Sequence, residues 1–375
     1  MIKMKPVLLK TLIRSITVTG MLCLAGCRQG AVVQDIPNLS VSLKGAQEGM
    51  PFDLSEMVGR PQKIVLQVDE ALAPAAVLKY VRGRYYLTDT RRKTIYAFNE
   101  QGEAVLALNR SGRAGYEYVK MLGFDVNPAN GEIHVYDSGT RRFLVYSETG
   151  DFLRAVKPED KYAWFRDFAV LEDGSYLVYI PDYLAQGYPS GLFALDQEGT
   201  FVRSWSTLDP DIRHKVLSEP YVNFRRLSDG TLSLRSEQDK NDVYHIDAGG
   251  GFTTAYHLDF DVTMSSEVRK SEFPSTEDAS YYYIMNWFET DHWLSLVVVY
   301  LNEQVLVYYN KETSECHYGR TERGRLKLSD LLIREPGDPY TFMFSAGDRL
   351  MYLKTGSRET DRPEIIVYPE HCLCP

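Results

Sequence analysis

The chain has little histidine, less cysteine, and no recognisable catalytic motif. Its 375 residues hold seven histidines and five cysteines. They contain no Gly-x-Ser-x-Gly elbow, no His-Glu-x-x-His zinc helix and no Walker loop. Those absences remove the α/β-hydrolase, zincin and P-loop NTPase classes. There is no excess of basic charge either: 42 Lys and Arg stand against 51 Asp and Glu, a formal net charge of −9. An acidic chain is a poor partner for nucleic acid and does not hold an anionic membrane surface by electrostatics. No Pro/Ser-rich or low-complexity tract follows Asp35, so no linker divides the chain. The apolar run near the N-terminus, residues 15–24, is short of the ~20 residues that a membrane span needs.

That N-terminal run belongs to a sorting signal. Lys3, Lys5, Lys10 and Arg14 make a basic region ahead of it, and Leu24-Ala25-Gly26-Cys27 follows. Small residues before a cysteine match the lipobox of bacterial lipoproteins, in which the thiol of Cys27 takes the lipid. Residues 1–26 are therefore read as a lipoprotein signal peptide and residues 27–62 as a lipidated tether. Processing removes four basic residues and no acidic one, which takes the formal charge from −9 to −13. The membrane partner is reached through the lipid.

Cys23 leaves with the signal and Cys27 is acylated, so Cys316, Cys372 and Cys374 remain. An odd number in an exported chain allows one disulfide plus a spare thiol. A disulfide from Cys316 to Cys372 or Cys374 would staple the C-terminal region in an oxidising compartment. The alternative is a zinc site from Cys316-His317 with His371-Cys372-Leu373-Cys374, but its Cys-x-Cys spacing is tighter than the usual Cys-x₂-Cys. No metal and no cofactor is expected.

The rest of the chain repeats. Residues 109–156 read as four short strands joined by tight turns at Asn130-Gly131 and Thr149-Gly150, since X-Gly supplies the positive φ that hairpins need. An inner hairpin recurs at 81–87, 127–136, 171–179, 227–235, 288–296 and 344–352; Asp291 stands at the turn of the fifth copy, and the other five carry glycine. An outer hairpin recurs at 94–108, 142–156, 191–205, 242–256 and 304–318. The sixth outer copy begins at 364–368 and lacks its last strand. Residues 63–68, KIVLQV, alternate correctly to supply it. Four strands cannot bury both faces of their own sheet, so the units must pack on one another. The expected fold is all-β: a six-bladed β-propeller of four-stranded blades over residues 63–375, closed by an N-terminal strand in the last blade. Closure of that kind removes exposed sheet edges.

Between the first two units lies Gly112-Arg113-Ala114-Gly115-Tyr116-Glu117-Tyr118. It is similar to the G-R-G-P-G-E-Y-like stretch of the six-bladed, NHL-like β-propeller lipoproteins of Bacteroides-type bacteria. Gly112, Arg113, Glu117 and Tyr118 match, while Ala114, Gly115 and Tyr116 depart. The resemblance implies a lipid-anchored propeller of the cell envelope with unassigned activity. Surface export of such lipoproteins is associated with acidic residues just after the cysteine. Here the first acid is Asp35, which points to the periplasm.

In a propeller the blade-to-blade connections share one face, and the long segments 109–117, 181–190, 206–220, 261–280 and 320–339 fall there. Long loops on a rigid scaffold are the usual carriers of binding residues. The candidates are Arg113, Tyr116, Glu117, Tyr118, Trp164, Arg166, Tyr183, Tyr188, Arg213, Tyr221, Arg225, Tyr282, Trp287 and Tyr340. Aromatics offer flat surfaces to sugar rings or peptide side chains, and arginine can clamp a carboxylate. Many such aromatics simply fill the space between blades. The expected function is a binding or scaffold protein with a glycan, peptide or protein ligand. The alternative is a hydrolase or lyase with a metal at the central channel, which would need a ring of inward Asp, Glu or His that the sequence does not display.

Overall fold

The computed structural model describes residues 36–48, 62–68, 72, 77–89, 91–181, 189–205, 224–235, 241–271, 274–320, 342–354 and 362–369. Two strands precede the repeats, β1 (Asn38–Val41) and β2 (Gln62–Val65). The first sheet is β3 (Leu78–Val81), β4 (Arg84–Asp89), β5 (Thr94–Phe98) and β6 (Ala104–Leu108). The second is β7 (Met121–Val126), β8 (Ile133–Asp137), β9 (Arg142–Tyr146) and β10 (Phe152–Val156). The third is β11 (Asp167–Val170), β12 (Tyr176–Ile180), β13 (Gly191–Leu195) and β14 (Phe201–Trp205). Next come β15 (Phe224–Arg226), β16 (Leu232–Leu234), β17 (Asp242–Ile246) and β18 (Phe252–Phe260). Then follow β19 (Tyr282–Glu289), β20 (Trp293–Tyr300), β21 (Glu303–Asn310) and β22 (Cys316–Arg320). Last are β23 (Phe342–Ala346), β24 (Arg349–Lys354) and β25 (Glu364–Pro369).

Four sheets are separate antiparallel meanders: β3–β6, β7–β10, β11–β14 and β19–β22. The remaining strands share a nine-stranded sheet in the order β1-β18-β17-β16-β15-β23-β24-β25-β2. The sheets alone therefore define four separate four-stranded blades where the repeat pattern leads one to expect six. The reason is local: Arg226 on β15 pairs with Ala346 on β23, and Gly347 donates its N–H to the Arg226 carbonyl at 2.8 Å. At the far end of this sheet β2 runs antiparallel to β25, with Lys63 opposite Ile366.

Buried clusters lie between consecutive sheets, which is the propeller arrangement. One joins Tyr86, Ile95 and Leu108 to Phe124, Ile133 and Leu144. Others join the second and third sheets, the third sheet and β15–β17, and β17–β18 and β19–β21. A further cluster joins Phe344, Met351 and Ile365 to Tyr85, Leu87 and Phe98. Strands β8, β12 and β20 are buried throughout because they are covered on both faces, whereas the outer strands β6, β10 and β14 are largely exposed. Gly102 shows how tight the turns are. Its φ is 81°, and a Cβ there would lie 2.2 Å from the Val65 carbonyl oxygen. Asp291, at the turn without glycine, reaches the neighbouring turn instead: its Oδ1 accepts from Ser228 N at 3.0 Å.

Part of the segment expected to be a tether is folded. Strand β1 pairs in parallel with β18, and a short helix, Leu43–Glu48, follows it. Leu39, Val41, Leu43 and Ala46 are buried in the cluster shared by β18 and β19–β21. Asp261 fixes the corner, accepting from Ser42 Oγ at 2.6 Å and Leu43 N at 2.8 Å.

Candidate functional site: the long-loop face and the central channel

In an antiparallel meander the turns alternate between two faces, so the blade-to-blade segments and the turns between second and third strands share a side. The loop after β6 is held shut by its own backbone: Gly112 N donates to Tyr118 O at 3.1 Å and Tyr118 N to Arg110 O at 2.8 Å. Glu117 Oε2 accepts from Ala114 N at 2.8 Å, and a Cβ at Gly112 would collide with that carboxylate. Tyr118 is fully buried, and its hydroxyl donates to Lys93 O at 2.5 Å. Glu117 and Tyr118 therefore spend their polar atoms shaping the loop. Arg113 and Tyr116 remain exposed, with the Tyr116 ring 6.4 Å from Phe152 on the outer strand β10.

The segment after β10 presents Trp164, which is 46 % exposed. The Arg141 guanidinium, from the turn between β8 and β9, lies 4.8 Å from its ring centroid. An exposed indole with a cation on one face is a ready stacking surface. Arg166 is half-buried, and its N–H donates to Tyr179 O at 2.9 Å. Tyr183, Tyr188, Arg213, Tyr221 and Tyr340 lie outside the described residues, as do Cys27, Cys372 and Cys374. Cys316 is half-buried, and burial pushes its thiol up to about 11.

Three other candidates are core residues. Tyr282 is buried against Phe260 and accepts from Asn241 Nδ2 at 2.6 Å. Trp287 is 2 % exposed, and Arg225, 3 % exposed, lies with its guanidinium 5.4 Å from that indole. Desolvation lowers the Arg225 pKa to about 10 against the opposing pull of Asp167. The structure thus brings Arg225 and Trp287 together, but between sheets and away from solvent.

The sequence reading missed the charged groups of the inner strands. Lys79 on β3 donates to Asp125 on β7 at 2.9 Å, and Arg226 on β15 approaches the other carboxylate oxygen at 3.3 Å. That second oxygen also accepts from Val170 N at 2.8 Å. Burial pushes the Asp125 pKa up, but Lys79 and Arg226 outweigh it and hold the carboxyl below its usual range. The signal was present as one polar residue inside each apolar inner run, Lys79 in VLKYV and Asp125 in LGFDV. These strands line a cavity of about 40 Å³ that opens to solvent. A water needs roughly 10–15 Å³ of such space, so the cavity takes a few water-sized guests.

A second buried carboxylate, Glu289 on β19, joins two sheets. It bonds His245 Nε2 at 2.8 Å and Lys311 Nζ at 2.6 Å, and accepts from Ser233 Oγ. Burial would raise its pKa, but His245 and Lys311 together hold it low. Among the described residues no three His, Cys, Asp or Glu side chains converge as metal ligands would.

A succession of antiparallel sheets, buried clusters between them and an aromatic–cationic patch on the connection side define a β-propeller with a candidate binding face. The chain belongs to a family known as a domain of unknown function, DUF4934, whose model matches residues 69–353. No curated protein matches it at a significant level. It is similar in structure to a Bacteroides fragilis protein assigned as exported, at a TM-score of 0.64 and 15 % identity, covering 89 % of this chain and 99 % of that one. A DUF4221 member from Bacteroides vulgatus matches at a TM-score of 0.48 and 9 % identity, covering 83 % of this chain and 96 % of that one. A catalytically inactive virginiamycin B lyase from Staphylococcus aureus matches at 0.39 and 12 %, covering 83 % and 89 % respectively. No helix among the described residues is long and apolar enough to cross a membrane.

Proposed function

We propose that the protein is a lipid-anchored, six-bladed β-propeller of the cell envelope that faces the periplasm and binds a glycan, peptide or protein on its long-loop face. The observation that carries the binding role is Trp164, half-exposed beside the Arg141 guanidinium on the connection side. Six blades are supported by the nine-stranded sheet itself. A single registered pair joins its two arms, β15–β18 repeats the four-strand meander, and β23–β25 with β2 makes four more strands. The antiparallel pairing of β2 on β25 supports closure by an N-terminal strand. The lipobox at Cys27 and the similar exported Bacteroides protein support the envelope address.

The test is a glycan and peptide array probed with wild type, Trp164→Ala, Arg141→Ala and Arg113→Ala. Loss of a stacking or charged contact typically costs ~1–3 kcal/mol, or roughly ten- to hundredfold in affinity. Gly174→Ala, in a turn on the opposite side, should spare affinity in whatever folds. Wild-type affinity in all three loop variants would place the ligand elsewhere. If wild type binds nothing on either array, a protein partner is the reading to pursue.

A further inference from the structure

We propose that the central channel holds one small monovalent anion, of halide size, between Ser345, Lys79 and Arg226. Three observations on the cavity lining point to it. First, the charge is unbalanced. Among the described residues of the lining, Lys79 and Arg226 both meet Asp125, the one carboxylate there. Arg225 is turned to Trp287 between the sheets, so among the described residues that face the cavity two cations share one carboxylate and one positive charge is in excess. Excess charge at a site this buried is costly unless a counter-charge joins it.

Second, Ser345 on β23 is 8 % exposed and lines the cavity, and its Oγ has no hydrogen-bond partner among the described residues. A buried hydroxyl without a partner forfeits a hydrogen bond, and this one lines the same cavity as two cations. A serine hydroxyl can donate to an anion, as the lysine and arginine donors also can. Third, the volume of about 40 Å³ suits a halide or a few waters. The Arg226 guanidinium reaches Asp125 and Val170 O through Nη2, so Asp125 orients the group that closes one side of the site. The anion would bridge inner strands that are distant in sequence. Its binding therefore stabilises the assembled propeller over the unfolded chain. This proposal is independent of the binding role of the long-loop face.

The experiment follows thermal unfolding of the purified full-length chain as bromide or chloride replaces gluconate at constant ionic strength. The melting temperature should rise and saturate with halide. Crystals soaked in bromide should show an anomalous peak within hydrogen-bonding distance of Ser345 Oγ. Ser345→Ala should need about tenfold more bromide for the same rise, the loss of one charge-assisted hydrogen bond. A melting temperature that follows ionic strength alone, or a map with no bromide in the channel, overturns the proposal. If Ser345→Ala folds and responds like wild type, Ser345 is not a ligand and the proposed site is wrong. If that variant does not fold, the wild-type titration and the anomalous map decide.

Discussion

Acidification from about pH 7 to about pH 5 should destabilise the protein through one side chain, His134. It lies on β8 with no exposure, its Nδ1 3.0 Å from the Tyr176 hydroxyl and its Nε2 3.5 Å from Glu132. Glu132 is itself engaged by both terminal nitrogens of Arg154, at 3.0 and 2.9 Å. Burial dominates, and lowers the imidazole pKa from 6.5 to about 4. A histidine depressed in this way is folded as the neutral form. Its contribution is complete above the unfolded pKa and is lost as pH falls through the window from 6.5 to about 4. The shift corresponds to about 3 kcal/mol in full, of which about 2 kcal/mol disappears by pH 5. Asp125 and Glu289 are also depressed, but their contributions fade only as pH falls below the ordinary carboxylate values of 3.8 and 4.5, beneath the pH 7 to pH 5 range of the test. The assay is urea unfolding of wild type and His134→Phe at several pH values. The phenyl ring keeps the bulk, removes the titration and forfeits the Tyr176 bond, at a cost of about 1 kcal/mol at neutral pH. The two stability curves should meet and cross as pH falls, leaving His134→Phe the more stable by about 1 kcal/mol at pH 5. Parallel curves between pH 7 and pH 5 would refute the reasoning.

Lys311→Ala should leave Glu289 buried with His245 and Ser233 but without its lysine, and cost about 3 kcal/mol, read as a lower urea midpoint at unchanged slope. Leu43→Ala should cost about 2–4 kcal/mol despite lying in a segment expected to be a tether, since Leu43 is fully buried; an unchanged melting temperature would show that β1 and its helix do not dock. Cys27→Ala should abolish labelling by a palmitate analogue in cells, and wild type that stays unlabelled would defeat the lipid anchor.

The candidate site was legible only in part. Arg113, Tyr116 and Trp164 were found as exposed groups because glycine-rich loops and strand starts announce connections. Tyr118, Tyr282, Trp287 and Arg225 carried the same composition yet are buried, since an aromatic at the start of a strand packs between sheets as readily as it meets solvent. Nothing in the sequence marked Arg141 as the partner of Trp164, because their contact joins a turn to a linker across β9 and β10.

By itself the sequence determined the strands and their turns. Side-chain alternation and X-Gly pairs are local, and a positive φ at Gly102 or Gly150 is demanded by the hairpin alone. It also determined that the units must pack on one another, because a four-stranded sheet with two apolar faces cannot stand in water. What tertiary structure decided are the contacts between units. Arg226 meets Asp125 and pairs with Ala346, Lys311 meets Glu289, and β1 lies on β18. Each depends on the angle and distance between sheets distant in the chain, and pair identity at such range is not encoded in any local spacing. The cavity that Lys79, Asp125 and Arg226 line exists only once the inner strands have been brought together.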